Sequence, residues 1–530
     1  MARAFVVLSA LVFSCLMACS TPQESTADSM PSPLQEEPTL FPDTSFASVD
    51  ELQYQIDLFD SITDDMPNTL DDLYADAPGI MTFRGGALRN APFVGHIQGR
   101  PDTVIIDWKF TTAYDGRQTD LGIWGGGTGW TGQPLYVHWP DSCMNRFRNE
   151  STQLTDHFSN DEIIVGSLCS RIYFINFATG DSSRQSLSVL NPIKGTVSLD
   201  PTLNGNLYVG QGVPNTQPFG ALTVNLYKHR ISHFFPRDNK AWRGWGGYDS
   251  SPIRIGQFLF RPAENGTLYK FRIKGDSLLL HSTLKFKKKG STAAGMESSM
   301  AYYRNYGFVT DNHGRVLCFN LATLQPVWSY DNHDDSDATP VLALEEGHPY
   351  LYTGCEVDRQ GSGWCYVVKL DALTGERIWE QRLPAHRGAI GEHKFDGGLF
   401  ATPLLGVGNC KNLLFLNVVT NDKPGLKGEF VALNRADGSI AYRVSQSHYA
   451  WASPVAFLNE KDEMFVFNAD CIGRVFLYNG KDGSLLYSKQ VGANFEASPI
   501  VVDNHVVIGS RGRSIFRLTV GSTRQLKNSN

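Results

Sequence analysis

HPYLYTGCEVDRQGSGWCYVVKLDALTGERIWEQRL, from His348 to Leu383, holds two runs of alternating apolar residues, a glycine-containing connection, a tight turn and a third run carrying Trp379. Tyr366, Val368 and Leu370 alternate with Val367 and Lys369, a period of two that puts one set of side chains on each face of a strand. Gly375 supplies the positive φ that a short hairpin needs, and Thr374 can bond locally to the backbone. Upstream, Asp337-Ala338-Thr339-Pro340-Val341-Leu342 opens another strand, with Pro340 near its first position, where no ladder donor is lost. The unit is four short antiparallel strands, and it recurs.

Eight openings register the repeat: Gln133-Pro134-Leu135, Asp200-Pro201-Thr202, Ser251-Pro252-Ile253, Ser299-Met300-Ala301, Thr339-Pro340-Val341, Thr402-Pro403-Leu404, Ser453-Pro454-Val455 and Ser498-Pro499-Ile500. They lie 40 to 67 residues apart, the length of a propeller blade rather than of a helical repeat. The turn after the third strand recurs as Ala178-Thr179-Gly180, Lys274-Gly275-Asp276, Ala436-Asp437-Gly438 and Lys481-Asp482-Gly483. The last unit is one strand short, and Val104 to Phe110, a strand with no unit of its own, supplies it. Closing the ring this way removes open edges and ties the chain ends together. The predicted fold is all-β, an eight-bladed propeller of four-stranded antiparallel blades over residues 79–520, followed by a tail over 521–530.

Repeats of the form strand, Ala/Asp-x-x-Thr-Gly, x-x-x-Trp, opened by Ser/Thr-Pro, resemble the quinoprotein-like (PQQ-like repeat) β-propeller superfamily. Phe83-Arg84-Gly85 with Arg89-Asn90 resembles the opening of its lipoprotein members, including the BamB-like outer-membrane assembly proteins. The resemblance gives Trp108, Trp328 and Trp379 an inter-blade docking role, with Tyr442 and Tyr487 at the corresponding places elsewhere. It implies either a binding scaffold or a dehydrogenase with pyrroloquinoline quinone, calcium, a catalytic Asp and an adjacent Cys-Cys disulfide. The chain has no adjacent cysteines and no CxxCH haem motif, which favours the scaffold, with no cofactor expected and calcium or the quinone unsupported by motif.

With 47 basic against 54 acidic residues the net charge is −7, which argues against nucleic acid as a partner, since phosphate-backbone affinity needs a dense basic face. The one basic run, Lys285 to Lys289, reads as a solvated edge strand or loop. Gly125-Gly126-Gly127 with Gly129 lacks the Lys-Ser/Thr of a phosphate loop. At the N-terminus Arg3 precedes an apolar run too short to span a bilayer comfortably. It ends in Leu16-Met17-Ala18-Cys19, which resembles a bacterial lipobox. The expectation is a signal peptide over 1–18, an acylated Cys19, outer-membrane localisation and a tether over 19–78. Within that tether Ser48-Val49-Asp50-Glu51 reads as a capping box for a short amphipathic helix to about Ile62. Cys355 and Cys365 flank one hairpin and are the expected disulfide; pairing among Cys143, Cys169, Cys318, Cys410 and Cys471 stays open, and no His joins them at zinc-ligand spacing.

The innermost strand of a blade begins at one mouth of the central channel. The residue three before each opening is Thr131, Ser198, Asp249, Glu297, Asp337, Phe400, Trp451 or Glu496. Carboxylates from three neighbouring blades therefore face two large aromatics, with Asp331, Asp334 and Asp335 thickening the acidic side. The readings open at this point are a divalent-cation site, a groove for a basic peptide, carbohydrate or envelope protein, and carboxylates that only bond backbone amides at strand starts. No Ser-His-Asp set or paired-carboxylate geometry can be placed.

Overall fold

The stretch from His348 to Leu383 forms strands His348–Gly354, Ser362–Asp371 and Arg377–His386 of one antiparallel sheet, whose first strand is Val341–Glu345. Gly375 takes φ 74° in its last turn, and the Asp371 carboxylate accepts the N–H groups of Leu373 and Thr374. The chain is described by a computed structural model at residues 48–60, 66, 71–90, 94–119, 121–130, 132–214, 216, 218–359, 362–390, 393–421 and 427–526. Eight such blades make an eight-bladed propeller. Blades 1 to 8 start at Leu135–His138, Ser198–Leu199, Ile253–Ile255, Ala301–Tyr303, Val341–Glu345, Leu404–Leu405, Val455–Leu458 and Ile500–Val502. The outermost strand of blade 8 is Thr103–Thr111, antiparallel to Ser514–Gly521, so the two ends of the ring meet in one sheet.

The repeated turn and the repeated aromatic fit each other. Trp108 Nε1 donates to the Phe177 carbonyl (2.9 Å), Trp328 to Ala372 (3.0 Å) and Trp379 to Arg435 (3.0 Å), each across to the next blade. Tyr442 does the same through its hydroxyl, to Gly480 (2.8 Å). Gly180, at φ 79°, lets the ring in: a Cβ there would lie 2.6 Å from the Trp108 ring. The hydroxyls before the opening prolines form a second belt. The N–H of Ser251 donates to Ser299 Oγ, Ser299 to Thr339, Thr402 to Ser453 and Ser453 to Ser498. Each satisfies a buried amide that has no ladder partner.

Residues 79–90 and 94–97 lie across the inner strands as a clasp. Gly79–Ile80 pairs with Tyr136 and Val137 of blade 1, and Val94–His96 runs parallel to Ala456–Leu458 of blade 7. The carbonyls of Met81, Ala87 and Leu88 accept Leu199, Tyr302 and Leu342 of blades 2, 4 and 5. Thr82 Oγ1 donates to the Pro252 carbonyl of blade 3 (3.2 Å), and His96 N–H to Asp503 of blade 8. The fully buried guanidinium of Arg84 reaches the carbonyls of Pro403 (3.1 Å) and Pro454 (3.0 Å), and that of Arg89 reaches Met300 (2.8 Å). Burial pulls their pKa values down, to about 9 and about 10. The Phe-Arg-Gly segment thus bonds to inner strands around the whole ring.

Four expectations are corrected. Leu52–Leu58 is a strand rather than a helix, a fifth member of blade 3 antiparallel to Ser277–Lys288. The basic run is accordingly covered: Lys285 pairs with Asp57 (3.0 Å), while Glu51 meets Arg315 (2.7 Å) and Lys288 (3.6 Å). Charge complementarity and an open sheet edge outweigh the local helical signal. Cys355 and Cys365 are free buried thiols. The register puts Tyr366, not Cys365, opposite Cys355, whose N–H donates to the Tyr366 carbonyl. Finally, blade 2 opens at Thr196-Val197-Ser198; Asp200-Pro201 follows its first strand, and Asp200 pairs with Arg254 (2.6 Å). Cys19, the signal segment and most of the tether lie outside the described residues, as does Thr131.

Candidate functional site at the channel mouth

In each blade the second strand returns antiparallel to the mouth where the first began, so each blade brings two segments there: the residues before its opening and the residues after its second strand. With blade 2 re-registered, the first set is Lys194, Asp249, Glu297, Asp337, Phe400, Trp451 and Glu496. The second set includes Glu264, Asn312, Glu356, Cys471 and Arg511. Sequence reasoning missed Lys194, Glu264 and Glu356. Their signal is positional: Glu264 lies three residues after Phe258–Arg261, and Glu356 two after His348–Gly354.

Six buried carboxylates form two groups, Asp249/Glu264/Glu297 and Asp335/Asp337/Glu356, each with one oxygen per residue within 4.8 Å of the others. The Asn312 amide joins them, donating to Asp337 (2.9 Å), Asp335 (3.2 Å) and Glu297 (3.4 Å). Lys194 Nζ is ion-paired with Asp249, and Trp245 Nε1 donates to Glu264 (2.5 Å). Both oxygens of Glu356 are buried and without a hydrogen-bond partner among the described residues. Glycines clear the space: a Cβ at Gly212 would stand 2.6 Å from Asp249 Oδ1, and one at Gly247 would overlap Glu264.

Burial removes water from these carboxylates and disfavours their charge. Burial, with Glu297 beside it, pushes Asp249 up to about 6 despite Lys194. Burial and the neighbouring carboxylates push Glu264, Asp335, Asp337 and Glu356 well above the usual range. Burial pulls the Lys194 ammonium down, but Asp249, Glu264 and Glu297 outweigh it and hold its proton more tightly than usual.

The opposite arc is aromatic. Phe400 and Trp451 stack at 4.9 Å and 29°, Trp130 meets Phe400 edge-on at 6.3 Å, and Tyr449 lies 5.2 Å from Trp451. Glu496 accepts Asn494 Nδ2 (2.7 Å) and faces Arg511 at 3.8 Å. The structure thus gathers Asp249, Glu297 and Asp337 on one side and Phe400, Trp451 and Glu496 on the other.

Clustered carboxylate oxygens with an amide between them are a donor set for a hard cation. Of the basic side chains there, Lys194 and Arg511 each face a carboxylate of the protein, while Arg243 Nη1 donates to the Glu264 carbonyl (3.0 Å) and to Asn312 Oδ1 (2.9 Å).

No family model and no curated protein matches the chain. Among solved structures, a europium-containing methanol dehydrogenase is similar at TM-score 0.58 and 11% identity, covering 84% of this chain and 99% of that one. The quinohemoprotein alcohol dehydrogenase of Comamonas testosteroni is similar at 0.58 and 12%, covering 85% and 82%. BamB from Moraxella catarrhalis reaches 0.48 and 14%, covering 69% and 97%. By its blade order and its likeness to the two dehydrogenases, the chain has an eight-bladed β-propeller fold similar to theirs.

Proposed function

We propose that this protein is an outer-membrane-anchored lipoprotein, acylated at Cys19, whose propeller is a binding and assembly scaffold that takes a cationic ligand at its channel mouth. A divalent cation fits first, and a basic group of an envelope protein or peptide second. The observation that carries the reading is Glu356, buried beside Asp335 and Asp337 with both oxygens unpartnered. Leaving a buried carboxylate unpartnered costs several kcal/mol, about 3–5 for a broken buried pair, and a bound cation would offset that cost. The aromatic arc would give the body of a larger ligand an apolar wall.

Titration of the purified protein with calcium, and with terbium read by tryptophan-sensitised luminescence, tests this. Saturable binding is expected, together with its loss in Glu356→Gln at unchanged near-ultraviolet dichroism. Absence of binding by the wild-type protein would reject the cation site, and a pull-down from solubilised envelope would then test the scaffold alone. Reduction of an acceptor dye by an alcohol, dependent on added quinone and calcium, would reassign the propeller as an envelope oxidoreductase.

A further inference from the structure

The two carboxylate groups are similar in composition but differ in what already stands beside them. Lys194 occupies in blade 2 the position that Asp249 occupies in blade 3, three residues before the opening, so one blade step brings its ammonium to that carboxylate. Its side chain is 15% exposed and that of Asp249 not at all. The stem reaches there because residue 212 is glycine: a Cβ would lie 2.8 Å from Lys194 Cβ and 2.9 Å from its Cγ. An ammonium offers three donors and no acceptor, which suits a place surrounded by carboxylate oxygens. Among the described residues, no ion pair reaches Asp335, Asp337 or Glu356; the neutral Asn312 amide donates to Asp335 and Asp337 and not to Glu356.

We infer that the Lys194 ammonium is a resident counter-ion that fills the Asp249/Glu264/Glu297 group, so that the mouth takes one metal ion, at Asp335/Asp337/Glu356, and not two. The inference rests on the cation reading of the mouth. The charge that Asp249, Glu264 and Glu297 together hold on Lys194 is consistent with it. Lys194 is then a specificity-determining residue: it sets stoichiometry without touching the bound ion.

Counting bound calcium by calorimetry, with terbium as a second probe, tests this. Wild-type protein is expected to bind one ion, Glu356→Gln none, Glu264→Gln still one, and Lys194→Met two. A wild-type count of two, or abolition of binding by Glu264→Gln, would overturn the inference while leaving the cation reading standing. So would a folded Lys194→Met protein that still binds one ion. A wild-type count of none would overturn both. The wild-type and Glu264→Gln counts decide the matter even where Lys194→Met fails to fold.

Discussion

Trp108 lies in the strand that closes the ring, and its ring packs on Gly180 of blade 1, 8% exposed, with Nε1 on the Phe177 carbonyl. Trp108→Ala removes both the apolar burial and the hydrogen bond at the seam, and should cost about 3–5 kcal/mol. Trp108→Phe keeps most of the burial, and the lost hydrogen bond alone should cost about 1 kcal/mol. Denaturant unfolding measures both, and an unchanged midpoint for Trp108→Ala would remove Trp108 from the closure. At this scale the sequence was informative wherever a proline marked the register. Asp249 and Asp337 were legible because Pro252 and Pro340 lie three residues on, and Met300 at the same place marked Glu297. Lys194 was not, because blade 2 has Val197 at that place and a decoy Asp200-Pro201 just beyond its first strand. Glu264 and Glu356 sit on connections without a repeated marker, so only the paired strands reveal that they return to the same mouth.

Among elements, the strand Leu52–Leu58 shows how a local signal loses to a distant partner. Ser48 to Glu51 reads as a helix start, yet Asp57 finds Lys285, 228 residues away, and the strand covers the edge of blade 3. No local pattern contains that partner. The hydrogen bond to Arg315 holds the Glu51 carboxyl below its usual range, and Asp57 is lowered by its bond to Gln55 and by Lys285. Glu51 is exposed and Asp57 partly so, while their partners Arg315 and Lys285 are buried; pairs at such a rim contribute about 1 kcal/mol each and weaken with salt. Charge reversal at Glu51→Lys with Asp57→Lys should therefore speed amide hydrogen exchange across Leu52–Leu58, as should high salt in the wild-type protein. The melting temperature of the propeller should fall less than in Trp108→Ala. Exchange indifferent to both would mean that backbone pairing alone holds the strand. The closing strand Val104 to Phe110 was legible for the opposite reason: a four-strand repeat left one vacancy and one unused strand.

Over the whole molecule, the clasp and the acidic mouth work against each other energetically. Arg84 and Arg89 bind blade-opening carbonyls and tie the inner strands together, while six carboxylates gathered at the mouth, from before the openings and after the second strands, repel one another. Asp249 rises from its ordinary range to about 6, and Glu264, Asp335, Asp337 and Glu356 rise well above theirs. A carboxylate whose pKa is higher folded than unfolded makes the native state bind more protons. Stability from these groups is therefore complete below the unfolded value, about 4. It is lost as pH rises, through about 6 for Asp249 and higher for the others. In Glu356→Gln that group stays neutral. The melting temperature of metal-free Glu356→Gln should match the wild type near pH 4, where both side chains are uncharged, and exceed it increasingly toward pH 8. Saturating calcium should reverse the order at pH 8 by stabilising only the wild type, and should do little at pH 4, where protons occupy the ligands. A difference between the two proteins that stays constant from pH 4 to pH 8 without metal would show that Glu356 ionises as readily in the native state as in the unfolded one. The cation reading would then lose the electrostatic cost that a bound ion is proposed to relieve.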